Sequence, residues 1–195
     1  MAYFIGIAGT HSTGKSTFLD SIEKQAKENR ISVARICDTA TKCQNVGFPI
    51  LDNHIFESTL WIIVSVIRAE LEAELNADLI LVDRPVPDAL GYLEAALNST
   101  GRSLNNEQQN YLYDLVKYHS NRYDLLLKTT LDESTPIGEG RDSNMNYRRD
   151  AGIEINNVFE YLKIPYLDPY DNATQEHIQN IFDSISAKNK IEEPI

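Results

Sequence analysis

The eight residues Gly9-Thr10-His11-Ser12-Thr13-Gly14-Lys15-Ser16 constrain this chain more than any other stretch. They satisfy Gly-x-x-x-x-Gly-Lys-Ser/Thr. Before them runs Tyr3-Phe4-Ile5-Gly6-Ile7-Ala8, apolar and of strand length; after them Phe18, Leu19, Ile22 and Ala26 recur at helical spacing. A chance match in a glycine turn would lack those flanks. Strand, glycine loop and helix in this order make a seat for a chain of phosphates. The loop must turn several backbone N–H groups inward, which glycine permits, and the helix aims its positive dipole end at the same place. The expected binding set is Gly9, Thr10, His11, Ser12, Thr13, Gly14, Lys15, Ser16 and Thr17. Lys15 supplies a mobile charge for the β- and γ-phosphates of ATP, and Ser16 a hydroxyl for Mg²⁺. The loop would use the backbone of His11, leaving its imidazole to solvent.

Beyond the loop, apolar runs alternate with helical patterns. Ile31 to Cys37 alternates as a second strand, Leu79-Ile80-Leu81-Val82 is an unbroken run suited to a strand buried on both faces, and Leu125-Leu126-Leu127-Lys128 is a fourth. Pro165-Tyr166-Leu167 is a short fifth. Between them lies a long helix with the stripe Phe56, Leu60, Ile63, Ile67 and Leu71, whose acids Glu70, Glu72 and Glu74 suit a solvated face. Further helices are expected over about 87–97, from an Asn105/Gln108 capping box to about His119, over 152–162 and over 174–186. This order predicts an α/β fold: one domain over residues 1–195, with a five-stranded parallel sheet in the order 2-3-1-4-5 and helices on both faces. Ligands of such sheets sit beyond the carboxyl ends of the strands. The glycine loop, Asp38, Asp83 and the polar segment after Lys128 all stand at those ends.

Asp83 closes an apolar strand, where its carboxylate can serve Mg²⁺ directly or through water, or else form a structural ion pair. Arg84 beside it has a planar fork for an anionic or hydroxyl-bearing group. Asp38, after the second strand, could orient an acceptor hydroxyl and take its proton, or could cap a helix. Arg141, Arg148 and Arg149 follow Gly138 and Gly140, among the acids Glu139, Asp142 and Asp150. A flexible lid over about 138–150 would bring Arg141 and Arg148 or Arg149 onto a transferring phosphoryl group; the bland alternative is a solvated mixed-charge loop. His54, Glu57 and Trp61 could line an acceptor pocket, although a tryptophan at this spacing suits the core.

Composition narrows the functions. The net charge of −11 argues against a grip on long nucleic acid and suits a small anionic ligand. No apolar run is long enough to span a bilayer. The N-terminus enters the first strand directly, leaving no room for a signal peptide, and two cysteines make neither a disulfide scaffold nor a zinc site, so a cytoplasmic protein is expected.

The glycine loop, Asp38, Asp83-Arg84, Tyr123-Asp124 and Gly138-Glu139-Gly140-Arg141 together resemble the P-loop kinase superfamily. The pattern is most similar to the nicotinamide-riboside-kinase-like and thymidylate-kinase-like small ATP-binding proteins. In that family the acid of Asp-Arg serves Mg²⁺ and the arginine serves the acceptor. Asp38 departs from the family's usual Glu, and Thr41 stands where an arginine is usual. The resemblance implies an ATP- and Mg²⁺-dependent kinase acting on a nucleoside or nucleotide. The alternatives are a P-loop ATPase module that hydrolyses or senses ATP for a partner, and a polynucleotide 5′-kinase.

Overall fold

The computed structural model describes residues 2–131 and 144–192. The order of elements is β1 (Tyr3–Ala8), α1 (Lys15–Glu28), β2 (Val33–Ile36), α2 (Thr39–Val46), α3 (Phe56–Glu74), β3 (Leu79–Asp83), α4 (Val86–Thr100), α5 (Asn106–Ser120), β4 (Leu125–Lys128), α6 (Met145–Leu162) and α7 (Asn172–Glu192). The sheet is parallel, in the order β2-β3-β1-β4. Tyr3 pairs with Leu79 and Ile7 with Asp83, so the end of β3 lies level with the start of the glycine loop.

Among the described residues the sheet has four strands, not the five expected. Leu167 occupies the fifth place as a single parallel bridge to Leu127. Its N–H donates to the Leu126 carbonyl at 3.0 Å, and its carbonyl accepts from the Lys128 N–H at 3.0 Å. Pro165 and Pro169 flank this bridge without N–H groups to extend it.

Period-two alternation divides the sheet between two cores. Phe4, Ile80, Val82 and Leu126 face α3, α4, α5 and α6. Ile5, Ile7, Leu79, Leu81, Leu125 and Leu127 face α1 and α7, against Phe18, Leu19, Ile22 and Phe182. Each fully buried Leu or Ile contributes about 1.5–3 kcal/mol. The capping box at the start of α5 is present: Asn105 accepts from the Gln108 N–H at 2.8 Å, and the Gln108 side chain accepts from the Asn105 N–H.

Three local expectations change. In α3 the buried face runs through Thr59, Ile62, Ile63, Val66 and Glu70, while Leu71 is exposed. Glu70 is fully buried, pairs with His119 Nε2 and accepts from the Tyr123 hydroxyl at 2.6 Å. The α6 helix starts at Met145, capped by the Asn144 side chain, which accepts from the Tyr147 N–H at 3.1 Å. Arg148, Arg149 and Asp150 therefore stand in its first turns, and not in a loop. Gly91 of α4 lets α6 approach closely, since a Cβ there would lie 2.7 Å from the Ile155 Cα. That close seat fixes where α6 delivers Arg148.

Candidate nucleotide site

The loop between β1 and α1 closes tightly at both ends. Gly9 has φ +133°, and a Cβ there would lie 2.2 Å from Thr129 Oγ1. Gly14, with φ +82°, starts α1. Lys15 is buried; its ammonium donates to the Thr10 carbonyl and to Thr13 Oγ1 at 3.3 Å. Thr13 Oγ1 donates to the Thr10 carbonyl at 3.0 Å and lies 2.7 Å from Thr129 Oγ1. Ser16 Oγ donates to Asp83 Oδ2 at 2.8 Å, joining the loop to the end of β3.

A hydroxyl and a carboxylate held this way are hard oxygen donors. They fit Mg²⁺, which keeps several waters and takes few protein ligands beside the substrate's phosphates. Among the described residues there is no cluster of three or more His, Cys, Asp or Glu side chains that would form a metal cage.

Two side chains that sequence reasoning missed, or gave another task, hold this loop in place. Asp88, in the first turn of α4, accepts from the Gly9 N–H on both oxygens, at 3.1 and 3.2 Å. Burial pushes its carboxyl up to about 6, against the pull of Arg84 and Lys15. Only the acid's place after Pro87 hinted at it, and an acid in a first turn ordinarily serves the helix dipole. Arg148 is fully buried; its Nε donates to the His11 carbonyl at 3.1 Å and its Nη2 to the Ser12 carbonyl at 3.0 Å. His11 is itself buried, at 5% exposure, so its imidazole does not point to bulk solvent as expected.

In front of the loop opens a cavity of about 550 Å³. His11, Ser12, Thr13, Gly14, Lys15, Ser16 and Thr17 line it, whereas Gly9 and Thr10 of the expected binding set are not among its lining residues. Asp38, Asp83 and Arg84 line it as well. Asp38 occupies the N-cap position of α2 but makes no side-chain cap bond; its carboxylate accepts from the Cys37 thiol at 3.3 Å. Arg84 donates to the Gly9 carbonyl at 3.2 Å and the Tyr92 hydroxyl at 3.0 Å, with Asp88 at 3.5 Å. Arg35 also reaches the cavity, anchored to Asp20 and to the Ser16 carbonyl at 3.3 Å. Gln44, Ile50, Leu51, His54, Ile62, Ala89 and Tyr92 complete the lining. Glu57 is exposed, and Trp61 is half-buried against Phe48. Arg141 lies outside the described residues, as do Gly138 and Gly140.

Backbone strain gathers here. Among the described non-glycine residues, positive φ occurs at Ser12, Asp38, Leu51 and Arg84, all on the cavity, and at Arg30 and Lys163, which end α1 and α6. A left-handed backbone costs an ordinary L-residue roughly 1–2 kcal/mol. Such costs persist where the surrounding contacts hold a functional geometry in place.

A family profile described as an AAA domain matches residues 4–168. No curated protein matches the chain. Among solved structures, a deoxyadenosine kinase from M. mycoides with dCMP and a flexible dCDP bound is 14% identical. Its TM-score is 0.60, and the alignment covers 94% of this chain and 99% of that one. A structure of the same kinase with dATP aligns at a TM-score of 0.58, again 14% identical, covering 94% of this chain and 98% of that one. The NadR protein in complex with NR is 16% identical at a TM-score of 0.63, covering 93% of this chain and 52% of NadR. At these identities the likeness shows the fold.

Proposed function

The chain belongs to the AAA-domain family of P-loop proteins, and from that premise we propose that it is an ATP-dependent kinase of a nucleoside or nucleotide. One observation carries the reading. The phosphate loop opens on a cavity of about 550 Å³ that is lined as well by Asp38, Arg84, His54 and Tyr92, which the phosphate seat does not use. The nucleoside-kinase folds of the neighbouring structures support it.

In this reading the β- and γ-phosphates lie along the 9–14 backbone and the start of α1, with Lys15 as their counter-charge. Mg²⁺, held by Ser16 and Asp83, would neutralise charge on the phosphate oxygens. Asp38, whose carboxylate is not spent on a helix cap, orients the acceptor hydroxyl and takes its proton as the oxygen attacks the γ-phosphorus and the bond to the bridging oxygen breaks, releasing ADP. Arg84, fixed by Gly9 and Tyr92, binds the acceptor beside the reacting group. Arg148 contributes by shaping the loop.

The test is ATP consumption by the full chain against a panel of nucleosides, nucleoside monophosphates and related vitamins, with Lys15→Ala as control. The expected result is turnover that requires one class of acceptor and falls at least ~10²-fold in Lys15→Ala, as when a preorganised electrostatic group is removed. ATP hydrolysis indifferent to every acceptor would instead identify an ATPase module.

A further inference from the structure

The large apolar side chains that the fold leaves in water gather on two neighbouring helices. Val64, Leu71 and Leu75 of α3 are 48, 49 and 80% exposed, and Tyr111 and Tyr118 of α5 are 53 and 81% exposed. The others of this kind among the described residues lie on different elements: Val46 on α2, Ile153 and Tyr161 on α6, and Tyr170 before α7.

The two helices lie side by side and run the same way. Near their starts the Phe56 and Tyr111 rings are 6.4 Å apart. Further along, Glu70 pairs with His119, and near the ends Arg122 donates to Glu74 at 2.7 Å. Val64, Ile67, Leu71 and Leu75 recur at helical spacing as one stripe, and Tyr111, Leu115 and Tyr118 as another. Half-buried Phe56, Leu60, Ile67 and Leu115 join the stripes to the core. Beneath them Glu70, His119 and Tyr123 tie α3 to α5 and to the start of β4, so the face has a rigid base.

Single apolar residues on a surface need no explanation, whereas a contiguous patch does. An aromatic side chain carries about 150–250 Å², so Tyr111 and Tyr118 offer roughly 270 Å². An aliphatic side chain of this size carries roughly 100 Å², so Val64, Leu71 and Leu75 offer roughly 180 Å². The half-buried residues bring the apolar surface to about 500 Å². A stable homodimer covers about 800 Å² on each partner, roughly 65% of it apolar, which is about 520 Å². The face is therefore the size of one half of such an interface. Glu57, Arg68, Glu72 and Asp114 border it, as a polar rim does.

Two-fold symmetry makes the same patch its own complement. A second copy laid across the face packs its two parallel helices antiparallel to these two, as a four-helix bundle. The contact closes on itself and leaves no stripe for a third copy. We propose that the α3–α5 face is a dimer interface whose occupant is a second copy of this chain. The proposal does not depend on the kinase reading, because none of the face's residues serves the nucleotide or the acceptor in it.

The test is sedimentation velocity with native mass spectrometry on the full chain, from ~1 to ~100 µM. The expected species has twice the 22.1 kDa of one chain. Leu71→Asp combined with Tyr118→Asp sets acids at the centre of the face, at positions exposed in the single chain, and should weaken association by ~10²-fold or more. Tyr161→Ser, at a tyrosine 74% exposed on α6, should leave the dimer intact. Val64→Cys is a second readout that disrupts nothing. Val64 stands midway along the face, so its two copies should lie close to the two-fold axis. Mild oxidation should link them, and should link wild type, which has only Cys37 and Cys43, far less.

A wild-type chain that stays monomeric at ~100 µM would overturn the proposal and leave the face to a different partner. A dimer that survives the double aspartate variant, or Val64→Cys cross-linking no greater than in wild type, would place the interface elsewhere and overturn it as well. A dimer that turns over no acceptor would sink the kinase reading and leave the interface standing.

Discussion

Replacing Arg148 tests how the loop keeps its shape. Its guanidinium is fully buried and forks onto two successive loop carbonyls, at 3.1 Å to His11 and 3.0 Å to Ser12, with Met145 Sδ at 3.8 Å. Arg148→Met preserves much of the volume and removes both bonds. A hydrogen bond to a charged group is worth roughly 1.5–3 kcal/mol, so two would give about 3–6 kcal/mol. Against this, the variant no longer buries a charge, which returns some of the loss. A net destabilisation of about 2–4 kcal/mol is expected, measured by urea unfolding with an unchanged m-value. Because the lost bonds lie on the loop itself, ATP affinity should also fall, by ~10-fold or more, when the loop must be ordered at the moment of binding. Arg148→Lys separates charge from geometry: an ammonium keeps the charge but cannot present a rigid fork. It should recover less than half of either loss. Stability and ATP affinity within ~3-fold of wild type in Arg148→Met would refute the argument. Full recovery in Arg148→Lys would show that charge, and not the fork, is what the loop uses.

Glu70→Ala should cost about 3–5 kcal/mol, because it strips the partner from buried His119 and Tyr123, while Glu72→Ala, one exposed i,i+4 pair away, should stay within about 0.5 kcal/mol; urea midpoints decide. If the proposed roles hold, Asp83→Asn should raise the Mg²⁺ concentration needed for half-maximal turnover, and Arg84→Ala should chiefly raise the acceptor KM; swapped phenotypes would reverse the assignment. His54, lowered by burial from 6.5 to about 4, adds stability that is full above about pH 6.5 and fades as the pH falls toward 4, to a total of ~3 kcal/mol. Asp88, raised from 3.8 to about 6, adds stability that is present below about pH 4 and fades as the pH rises toward 6, to a similar ~3 kcal/mol. The two nearly cancel in wild type, so Asp88→Asn should lose stability on going from pH 6.5 to 4.5 relative to wild type, and His54→Asn should gain it. Parallel melting-temperature profiles in all three proteins would contradict both assignments.

What the sequence made legible was whatever depends on near neighbours. The four residues 79–82 are apolar on both faces, so β3 could be placed inside the sheet, and Asp83 at its end was bound to face the loop. Asn105 and Gln108 mark their own helix because both partners lie within one turn. What stayed hidden depends on partners far along the chain. Glu70 is charged, so local patterning sends it to solvent; it is buried because His119 and Tyr123, 49 and 53 residues later, satisfy it. That turns the buried face of α3 from Leu71 toward Glu70. Arg148 gave the same false signal: a charged, asparagine-rich stretch looks like a loop until the His11 and Ser12 carbonyls are known to wait 137 and 136 residues away. Asp88 is a third case, 79 residues from the Gly9 N–H that it holds. These three differ from the apolar core in what they respond to. A buried Leu is indifferent to the orientation of its neighbours, whereas a buried charge requires particular donors or acceptors at particular positions. Arg148 and Asp88 grip different residues of the glycine loop, so the hidden charges set the geometry of the legible motif. The motif locates a phosphate seat, and the long-range pairs determine how rigidly it is held.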